Sequence, residues 1–183
     1  MSLVATRKAF IDWIRNVTSY DAKHVIWENQ NMPRPTKPYI TAKLTAFNNM
    51  NTSYVAYPNP SGSAAIYSDK EFTLSLVCFG VGLGATDPLI TLLNLHISLS
   101  SLNPYKILQD ACIAFVDTLL GPTDTTVLKS NTMFEERANM DLLMRIPWTS
   151  TDAAQGLIET AALQDTTIGV GGITIDVNSI TIN

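Results

Sequence analysis

A glycine-rich turn is the feature of the sequence that comes nearest to a cofactor motif. Residues 80–85 are Gly-Val-Gly-Leu-Gly-Ala, which fits the dinucleotide-binding pattern G-x-G-x-x-G/A, whose glycines let a pyrophosphate approach the start of a helix. The pattern also needs a parallel βαβ unit and an acidic residue about 20 positions later, but residues 100–105 contain no carboxylate. Asp87 places a negative charge where phosphates would bind. The sequence therefore favours a plain turn, with a nucleotide-binding enzyme using Gly80–Ala85 as the alternative.

The other residues that could do chemistry do not form a recognisable catalytic or metal site. His24 and His96 are the two histidines, and neither has a second ligand at the spacing that a zinc site requires. Glu135 and Glu136 would point to opposite faces of a strand. The sequence contains neither a G-x-S-x-G nucleophile elbow nor a phosphate-binding G-x-x-x-x-G-K loop. We therefore predict no enzyme activity, no cofactor and no metal.

The cysteines and the apolar segments indicate where the protein works. Cys78 and Cys112 both lie in apolar runs and are predicted to pack as small hydrophobic residues, with a disulfide or a metal pair as alternatives. The amino terminus resembles an amphipathic helix and not a signal peptide. The most apolar stretch, Leu89–Leu99, is about half the length needed to span a bilayer. We expect a protein of a reducing compartment with no membrane partner.

The composition combines few charges with many neutral polar residues. Asp, Glu, Lys and Arg make up 15% of the 183 residues, whereas about 25% is usual; the sequence has 21 Thr and 13 Asn instead. A hydrophobic fraction of 46% excludes a disordered charged chain. A net charge of −4 argues against a protein that binds nucleic acid through clustered Lys and Arg. Monomers usually keep more surface charge, so the composition favours burial against a partner.

The hydrophobic pattern predicts the elements that position these residues. Helices are predicted over residues 3–16, 87–101 and 103–110, and strands over residues 24–28, 39–47, 71–79, 112–118 and 134–148, with a further candidate strand at 157–163. Because the strands come in runs separated by one helical stretch, we expect an α+β domain whose mainly antiparallel sheet is packed by two to three helices. We expect this domain to cover residues 1–164, followed by an extended tail over residues 165–183.

The same pattern predicts the faces of two elements and the positions of two loops. The second helix is predicted to bury Leu89, Leu92, Leu93, His96 and Ile97. Alternation in the strand over 134–148 predicts one face with Arg137, Asn139, Asp141 and Leu143, and an opposite face with Glu136, Ala138, Met140, Leu142, Met144 and Ile146. Turn-forming residues predict one long loop over residues 48–68. Gly121-Pro122 is predicted to turn the chain out of a strand into another loop.

Three segments have the composition of binding surfaces. Residues 27–39 hold three prolines and Arg34 between two aromatic residues; such a rigid loop loses little entropy on docking, although a structural crossover loop is the alternative. Residues 134–142 form a charged cluster, which makes an ion pair either within the subunit or between subunits. The alternating tail over 165–183 pairs with a sheet edge of its own or of a neighbouring subunit. The candidate interface residues are Trp27, Gln30, Pro33, Arg34, Pro35, Tyr39, Glu136, Arg137 and Asp141.

In these segments the sequence resembles the neck or tail terminator proteins of tailed bacteriophages. The resemblance rests on the order Val-Ile-Trp-Glu-Asn-Gln-Asn-Met-Pro-Arg-Pro-Thr-Lys-Pro-Tyr-Ile (25–40), a strand ending in Phe79-Gly80 before a helix, and Phe-Glu-Glu-Arg-Ala-Asn-Met-Asp-Leu (134–142). It covers residues 3–163. The positions that match the pattern are Trp27, Gln30, Pro33, Pro35, Pro38, Tyr39, Gly80, Ala85, Arg137, Ala138 and Asp141.

The resemblance implies a structural protein of the virion neck or tail with no catalytic residues. It implies a small α+β subunit that forms a homo-oligomeric, six-membered ring, caps the tail tube and joins it to the neck connector. DNA would pass through the ring without specific binding, and assembly would take place in the host cytoplasm. The loop over 48–68 and the segment after Gln164 depart from the pattern. A tube, stopper or baseplate subunit is the alternative within the same class.

Overall fold

The fold is a layer of helices packed on a mixed sheet, whose long paired strands have alternating buried residues. The computed structural model describes residues 3–28, 33–50, 54–56, 64–81, 84, 86–130 and 133–152. Within these residues the helices are α1 (Leu3–Thr18), a 3-10 helix (Ala22–His24), α2 (Pro88–Ser98) and α3 (Leu102–Asp110). The strands are β1 (Val25–Trp27), β2 (Tyr39–Asn49), β3 (Tyr54–Ala56), β4 (Ala64–Phe79), β5 (Ala114–Asp124), β6 (Val127–Ser130), β7 (Met133–Glu135) and β8 (Arg137–Asp152).

The main sheet has the order β1-β2-β4-β8-β5, and β3 pairs with β4 beside this path. Only the short β1 runs parallel to its neighbour among the described pairs, whereas β2, β3, β5 and β8 pair antiparallel. The strands β6 and β7 form a separate two-stranded sheet. The predicted α+β class with a mainly antiparallel sheet is therefore confirmed, whereas residues 153–183, with the predicted strand at 157–163 and the tail, lie outside the described residues.

The core lies between the helices and one face of the sheet. On β8 the predicted alternation is confirmed, because the side chains of Ala138, Met140, Leu142, Met144 and Ile146 are all buried. They meet the alternate residues Phe72, Leu74 and Leu76 of β4. The fully buried Trp13 of α1 donates its indole N–H to Ser98 Oγ of α2 at 3.0 Å. This bond satisfies a polar group that would otherwise be costly to bury, and it fixes α1 against α2.

The prediction of one long loop over residues 48–68 is wrong where the structure describes it. β2 continues to Asn49, β3 occupies Tyr54–Ala56, and β4 begins at Ala64. β8 supplies a complete ladder for β4, starting at the pair Ala64↔Asp152. Pairing with a long partner strand therefore overrides the local preference of Asn, Ser and Thr for turns. The remaining residues of the predicted loop lie outside the described residues.

The strand predicted over residues 112–118 is displaced and longer. β5 continues through Gly121-Pro122 to Asp124, because it is the last strand of the sheet order and a proline is tolerated at an edge. The loop predicted after it contains β6 and β7. Cys112 is not packed in this strand: it is exposed, with a φ of 51°, in the turn that follows α3. Cys78 is buried, as predicted.

The buried face of α2 differs from the predicted stripe. Leu93 and Ile97 are 41% and 61% exposed, whereas Leu95, which was not in the stripe, is fully buried. The helix Pro-Leu-Ile-Thr-Leu-Leu-Asn-Leu-His-Ile-Ser has no acidic residue, Lys or Arg to mark its outer side. Periodicity therefore places the buried Leu92 correctly but wrongly adds the exposed Leu93 and Ile97 to the buried stripe. His96 is half-buried with Nε2 2.9 Å from Thr118 Oγ1, which confirms a packing residue with a satisfied ring nitrogen.

Gly80 allows the end of β4 to cross the start of α2 at close range. A Cβ at this position would overlap the carbonyl oxygen of Thr86 and would lie 2.6 Å from Pro88 Cγ. The Gly80 amide also donates to the carbonyl of Glu136 at 3.2 Å, just before β8. The glycine thus brings the ends of β4 and β8 and the beginning of α2 to one point.

Gly80→Ala is expected to lower the free energy of unfolding by about 1–3 kcal/mol, the usual cost of overpacking. The added methyl group would meet backbone and a proline ring, which cannot rotate aside. Chemical denaturation followed by circular dichroism measures this change. Gly121→Ala is the matched control, because a Cβ at Gly121 meets nothing within 4 Å. Equal stabilities of the two variants would contradict the prediction.

The two thiols are expected to react differently with an aromatic disulfide reagent. Burial raises the pKa of Cys78 from 9.0 to about 12, whereas Cys112 is exposed. Because the thiolate is the reactive form, one thiol per native chain should react, and two after unfolding. Cys112→Ser should remove the fast reaction, and a fast reaction that persists would refute the assignment.

Burial of the neutral Cys78 thiol also makes stability depend on pH. Because this thiol ionises at a lower pH in the unfolded chain than in the folded one, the free energy of unfolding is expected to fall as pH rises above about 9.

Candidate interaction surfaces

Buried aromatic side chains lie on the strands before and after the proline loop, which we define as residues 33–38. Trp27 is buried at the end of β1 under the Arg7 guanidinium, which lies 5.3 Å from the ring centroid. Tyr39 is buried at the start of β2 and stacks on Phe79, with a centroid distance of 4.6 Å. Both predicted interface residues are therefore buried within the subunit, and Tyr39 fixes the end of the proline loop.

Solvent reaches the residues of the proline loop itself. Pro33 and Arg34 are exposed, and Pro35 is half-buried, whereas Gln30 lies outside the described residues. Burial raises the pKa of Tyr39, and the positive charge of Arg34 beside it acts in the opposite direction. The loop thus offers a rigid surface with one exposed cation, and its role as a contact remains a prediction.

The structure places the β6–β7 hairpin against the proline loop, which the sequence did not predict. Glu135 lies between two lysines: its Oε1 is 3.7 Å from Lys37 Nζ of the loop and 3.9 Å from Lys129 Nζ of β6. The Glu135 side chain is mostly buried, so solvent screens the pair with Lys37 less than an exposed pair. Glu135 and Glu136 do not alternate on one strand as predicted, because β7 ends at Glu135 and β8 begins at Arg137.

A cleft of about 310 Å³ lies where the starts of α2 and β8 meet the end of β5. Three carboxylates and one guanidinium line it, from Asp87, Asp124, Glu136 and Arg137. Arg137 donates its Nε–H to the carbonyl of Thr125 at 2.8 Å, which fastens the chain after β5 to β8. Hydrogen bonds from Thr126 hold the pKa of Asp124 below its usual value, so this carboxylate stays charged.

This cleft does not have the geometry of a nucleotide site. Asp87 caps α2 with its own carboxylate, which accepts from the amides of Leu89 at 2.8 Å and Ile90 at 3.2 Å. The amides that would hold a pyrophosphate in the glycine motif are therefore bonded internally. The strand before the turn, β4, pairs antiparallel with β2, β3 and β8, so the parallel unit that the motif requires is not formed there.

The charged residues of the segment 134–142 lie in different environments. Glu136 and Arg137 line the cleft, whereas Asp141 lies four residues along β8 on the sheet face away from the core. Among the described residues, neither Arg137 nor Asp141 has an ion-pair partner within 4.0 Å. The ion pair predicted within the subunit is instead formed by Glu135 of this cluster, with Lys37 and Lys129, whereas a pair between subunits stays a prediction.

Sequence reasoning missed an apolar surface on α2 and β5. We define the α2–β5 surface by Ile90, Leu93, Ile97, Val116 and Leu119, all exposed. Val116 and Leu119 lie at the register shifts of β5, where they have no pairing partner on β8. The signal for this surface was the lack of an acidic residue, Lys or Arg along the whole of α2, because a helix that is apolar all round buries more than one face.

A second apolar site lies at the other end of the long strands. We define the α1 groove as the depression of about 260 Å³ lined by Leu3, Phe47, Asn49, Lys70 and Trp148. Ala46 has a φ of 53°, and the register shifts between Thr45 and Asn48. After this irregularity Phe47 stacks on the core residue Phe72, with a centroid distance of 5.1 Å. The bulge thus exposes part of an aromatic ring beside the start of α1.

A rigid loop and exposed apolar surfaces on an α+β domain are typical of a subunit that works by contact with other proteins. Comparison with protein families agrees with this class, because residues 5–177 match the model of the phage neck terminator proteins. The chain belongs to this family, which confirms the resemblance drawn from its motifs. No curated protein matches the chain.

Membership of this family makes the protein a structural component of the phage neck, with other neck and tail proteins as its partners and the virion as its location. The family is a structural one. Within the described residues, no helix has both the length and the apolar character that crossing a membrane requires.

Glu135→Gln is expected to loosen the β6–β7 hairpin, because Lys37 and Lys129 would then approach each other without a carboxylate between them. The free energy of unfolding should fall by about 1 kcal/mol or less. Amide hydrogen exchange should become faster in residues 127–130 and 133–135. Asp110→Asn is the matched control, since it breaks an exposed pair with Lys106 elsewhere. Hairpin exchange as slow as in the wild type would show that Glu135 does not hold the hairpin.

Proposed function

We propose that this protein forms a ring that closes the growing tail tube and joins it to the neck connector. The observation that carries the proposal is the family match, which spans residues 5–177 and therefore includes every described strand. The proposal assigns no reaction to the protein. Its function lies in the contacts of two ring faces and of the interface between subunits.

The surface chemistry supports a subunit that functions as part of an assembly. Single exposed apolar side chains are normal, but several on one surface mark an interface. The α2–β5 surface and the α1 groove are two such places on one chain. Interface cores are depleted in charge, which gives the low charged fraction of 15% a physical reason. A contact that joins unlike surfaces of identical subunits closes naturally into a ring, which the resemblance predicts to have six members.

We place the DNA path through the middle of this ring. A net charge of −4 per subunit favours free passage, because binding to phosphates needs clustered Lys and Arg. The ring is assembled in the host cytoplasm and remains in the neck of the finished virion. The proline loop, with Pro33, Arg34 and Pro35, is the proposed contact toward a neighbouring protein.

Native mass spectrometry of the protein, alone and mixed with tail tubes, tests ring formation. We expect a species of six subunits, formed either in solution or on the tube. A strictly monomeric protein under both conditions would overturn the proposal.

A polymerisation assay separates a terminator from other tail subunits. Adding the protein to polymerising tube protein should stop elongation, so that electron micrographs show shorter tubes as its concentration rises. The unfolded protein at the same concentrations is the control. Incorporation along the length of the tube would identify a tube subunit, and tubes of unchanged length would favour a stopper or baseplate subunit.

A further inference from the structure

The α1 groove adjoins the segment that follows β8. Trp148 of β8 lines the groove and is half-buried. β8 ends four residues later at Asp152, which lies about 13 Å farther along the strand. Residues 153–183 therefore start beside the groove. The other segments next to its lining that lie outside the described residues, 1–2 and 51–53, are Met-Ser and Asn-Thr-Ser, and they hold one apolar side chain between them.

The lining of the groove defines what fits into it. Leu3, Phe47 and Trp148 are apolar, and Phe47 is 46% exposed, so much of its ring is free to pack. Among the described residues that line the groove, Lys70 alone is charged. Its ammonium lies at the rim, where it donates to Oδ1 of the exposed Asn49, and it has further protons for a second acceptor. The groove therefore suits a short apolar segment that carries one carboxylate.

Residues 173–177, Ile-Thr-Ile-Asp-Val, have this composition. In an extended segment alternate side chains lie on opposite sides, so the two isoleucines and the valine would share one side. Asp176 would lie on the other side, toward the rim, and it is the only charged side chain in residues 166–183. The family match runs through residue 177 and includes this segment. The segment is thus part of what the family shares, although the motif pattern drawn from the sequence did not extend to it.

The nearest sheet edge offers this segment a poorer site. Among the described residues, β8 has no partner on its β5 side beyond Arg145. Arg137 directs its carbonyl to Thr125 on this side, and because backbone groups alternate along a strand, those of Pro147 point the same way. Proline has no amide proton to donate to an added strand, which is a usual protection of an edge. The α2–β5 surface is also poorer, since α2 and β5 contain no lysine or arginine to bind Asp176.

We propose that residues 173–177 fill the α1 groove of their own chain. Their apolar side chains pack on Phe47 and Trp148, and the Asp176 carboxylate accepts a hydrogen bond from the Lys70 ammonium. The groove is thus a docking site for the segment that follows β8.

The length of the connection favours the same chain over another copy. Residues 153–172 span up to about 70 Å when extended, so residues 173–177 reach the groove without strain. Such a tether gives an effective concentration on the order of 1 mM, well above the concentration of other copies in a dilute solution. The contact belongs to the single subunit and does not rest on the proposed ring.

Cross-linking tests which parts meet and in which chain. In a Cys112→Ser background, Asn49→Cys in the groove and Asn178→Cys after the docked segment are joined with a short bifunctional maleimide. We expect rapid formation of a link within one chain, located by peptide mass spectrometry. In the control, Leu102→Cys on α3, at 88% exposure and outside the groove, replaces Asn49→Cys and should link severalfold more slowly. Cys78 is buried and does not compete.

Fluorescence tests the apolar part of the contact. Trp13 and Trp27 are buried, so Trp148 accounts for most of the quenching of tryptophan emission by acrylamide. Ile173→Asp combined with Ile175→Asp should release the segment and raise this quenching severalfold, because the indole then meets solvent. Trp148→Phe should abolish the increase.

Charge reversal tests the polar part of the contact. Lys70→Glu alone and Asp176→Lys alone should each slow the cross-link severalfold, because each variant brings like charges together. The two changes combined should restore the rate. Such a rescue distinguishes a direct contact from damage to the fold.

Three results would overturn the inference. Equal rates of cross-linking at Asn49 and Leu102 would show that residues 173–177 do not select the groove. A link formed mainly between chains would assign the groove to a neighbouring copy. Trp148 quenching unchanged by the isoleucine substitutions would show that nothing in this segment covers the indole. Native mass spectrometry measures the ring separately, so a monomeric protein with the expected cross-link would refute the proposed ring and leave this contact standing.

Discussion

The antiparallel pairing of β4 with β8 is the constraint on which the rest of the structure depends. Both strands have 16 residues, and their pairing runs without a register shift from Ala64↔Asp152 to Phe79↔Arg137. Because side chains alternate along a strand, this register places on one face the residues that both strands contribute to the main hydrophobic cluster. The helices cover that face, and β2 and β5 extend the sheet on either side. A slip of one residue would turn all of these side chains outward.

The sequence predicted the parts of the fold that follow from local periodicity and from strong turn residues. Alternation in β8 and the Asp87-Pro88 start of α2 were sufficient for the class of fold and for most elements. The extension of β4 back to Ala64 was not predictable in this way, because its ladder is supplied by residues almost ninety positions later in the chain. The path of β5 through Pro122 depends in the same way on its place at the sheet edge.

For a related reason, the sequence predicted some of the candidate interaction surfaces and not others. Prolines, aromatic residues and charges are conspicuous in a sequence, so the proline loop and the cluster around Arg137 could be proposed as contacts from the sequence. An outward apolar face was not found, because Leu93 and Ile97 have the same residue types as the buried Leu92 and Leu95. Only the packing of α2 against β4, β5 and β8 decides which side is free. The bulge at Ala46, which exposes Phe47, likewise could not be predicted from the residue types.

The pair Ala64↔Asp152 means that the described ladder ends on both central strands at the same level. The chain before β4 and the chain after β8 are therefore attached at neighbouring points of one sheet end, away from the corner built around Gly80. Insertions or deletions in residues 57–63 or after residue 152 would leave the register of the ladder untouched. Selection can thus alter the length of either segment without changing the pairing of the two central strands.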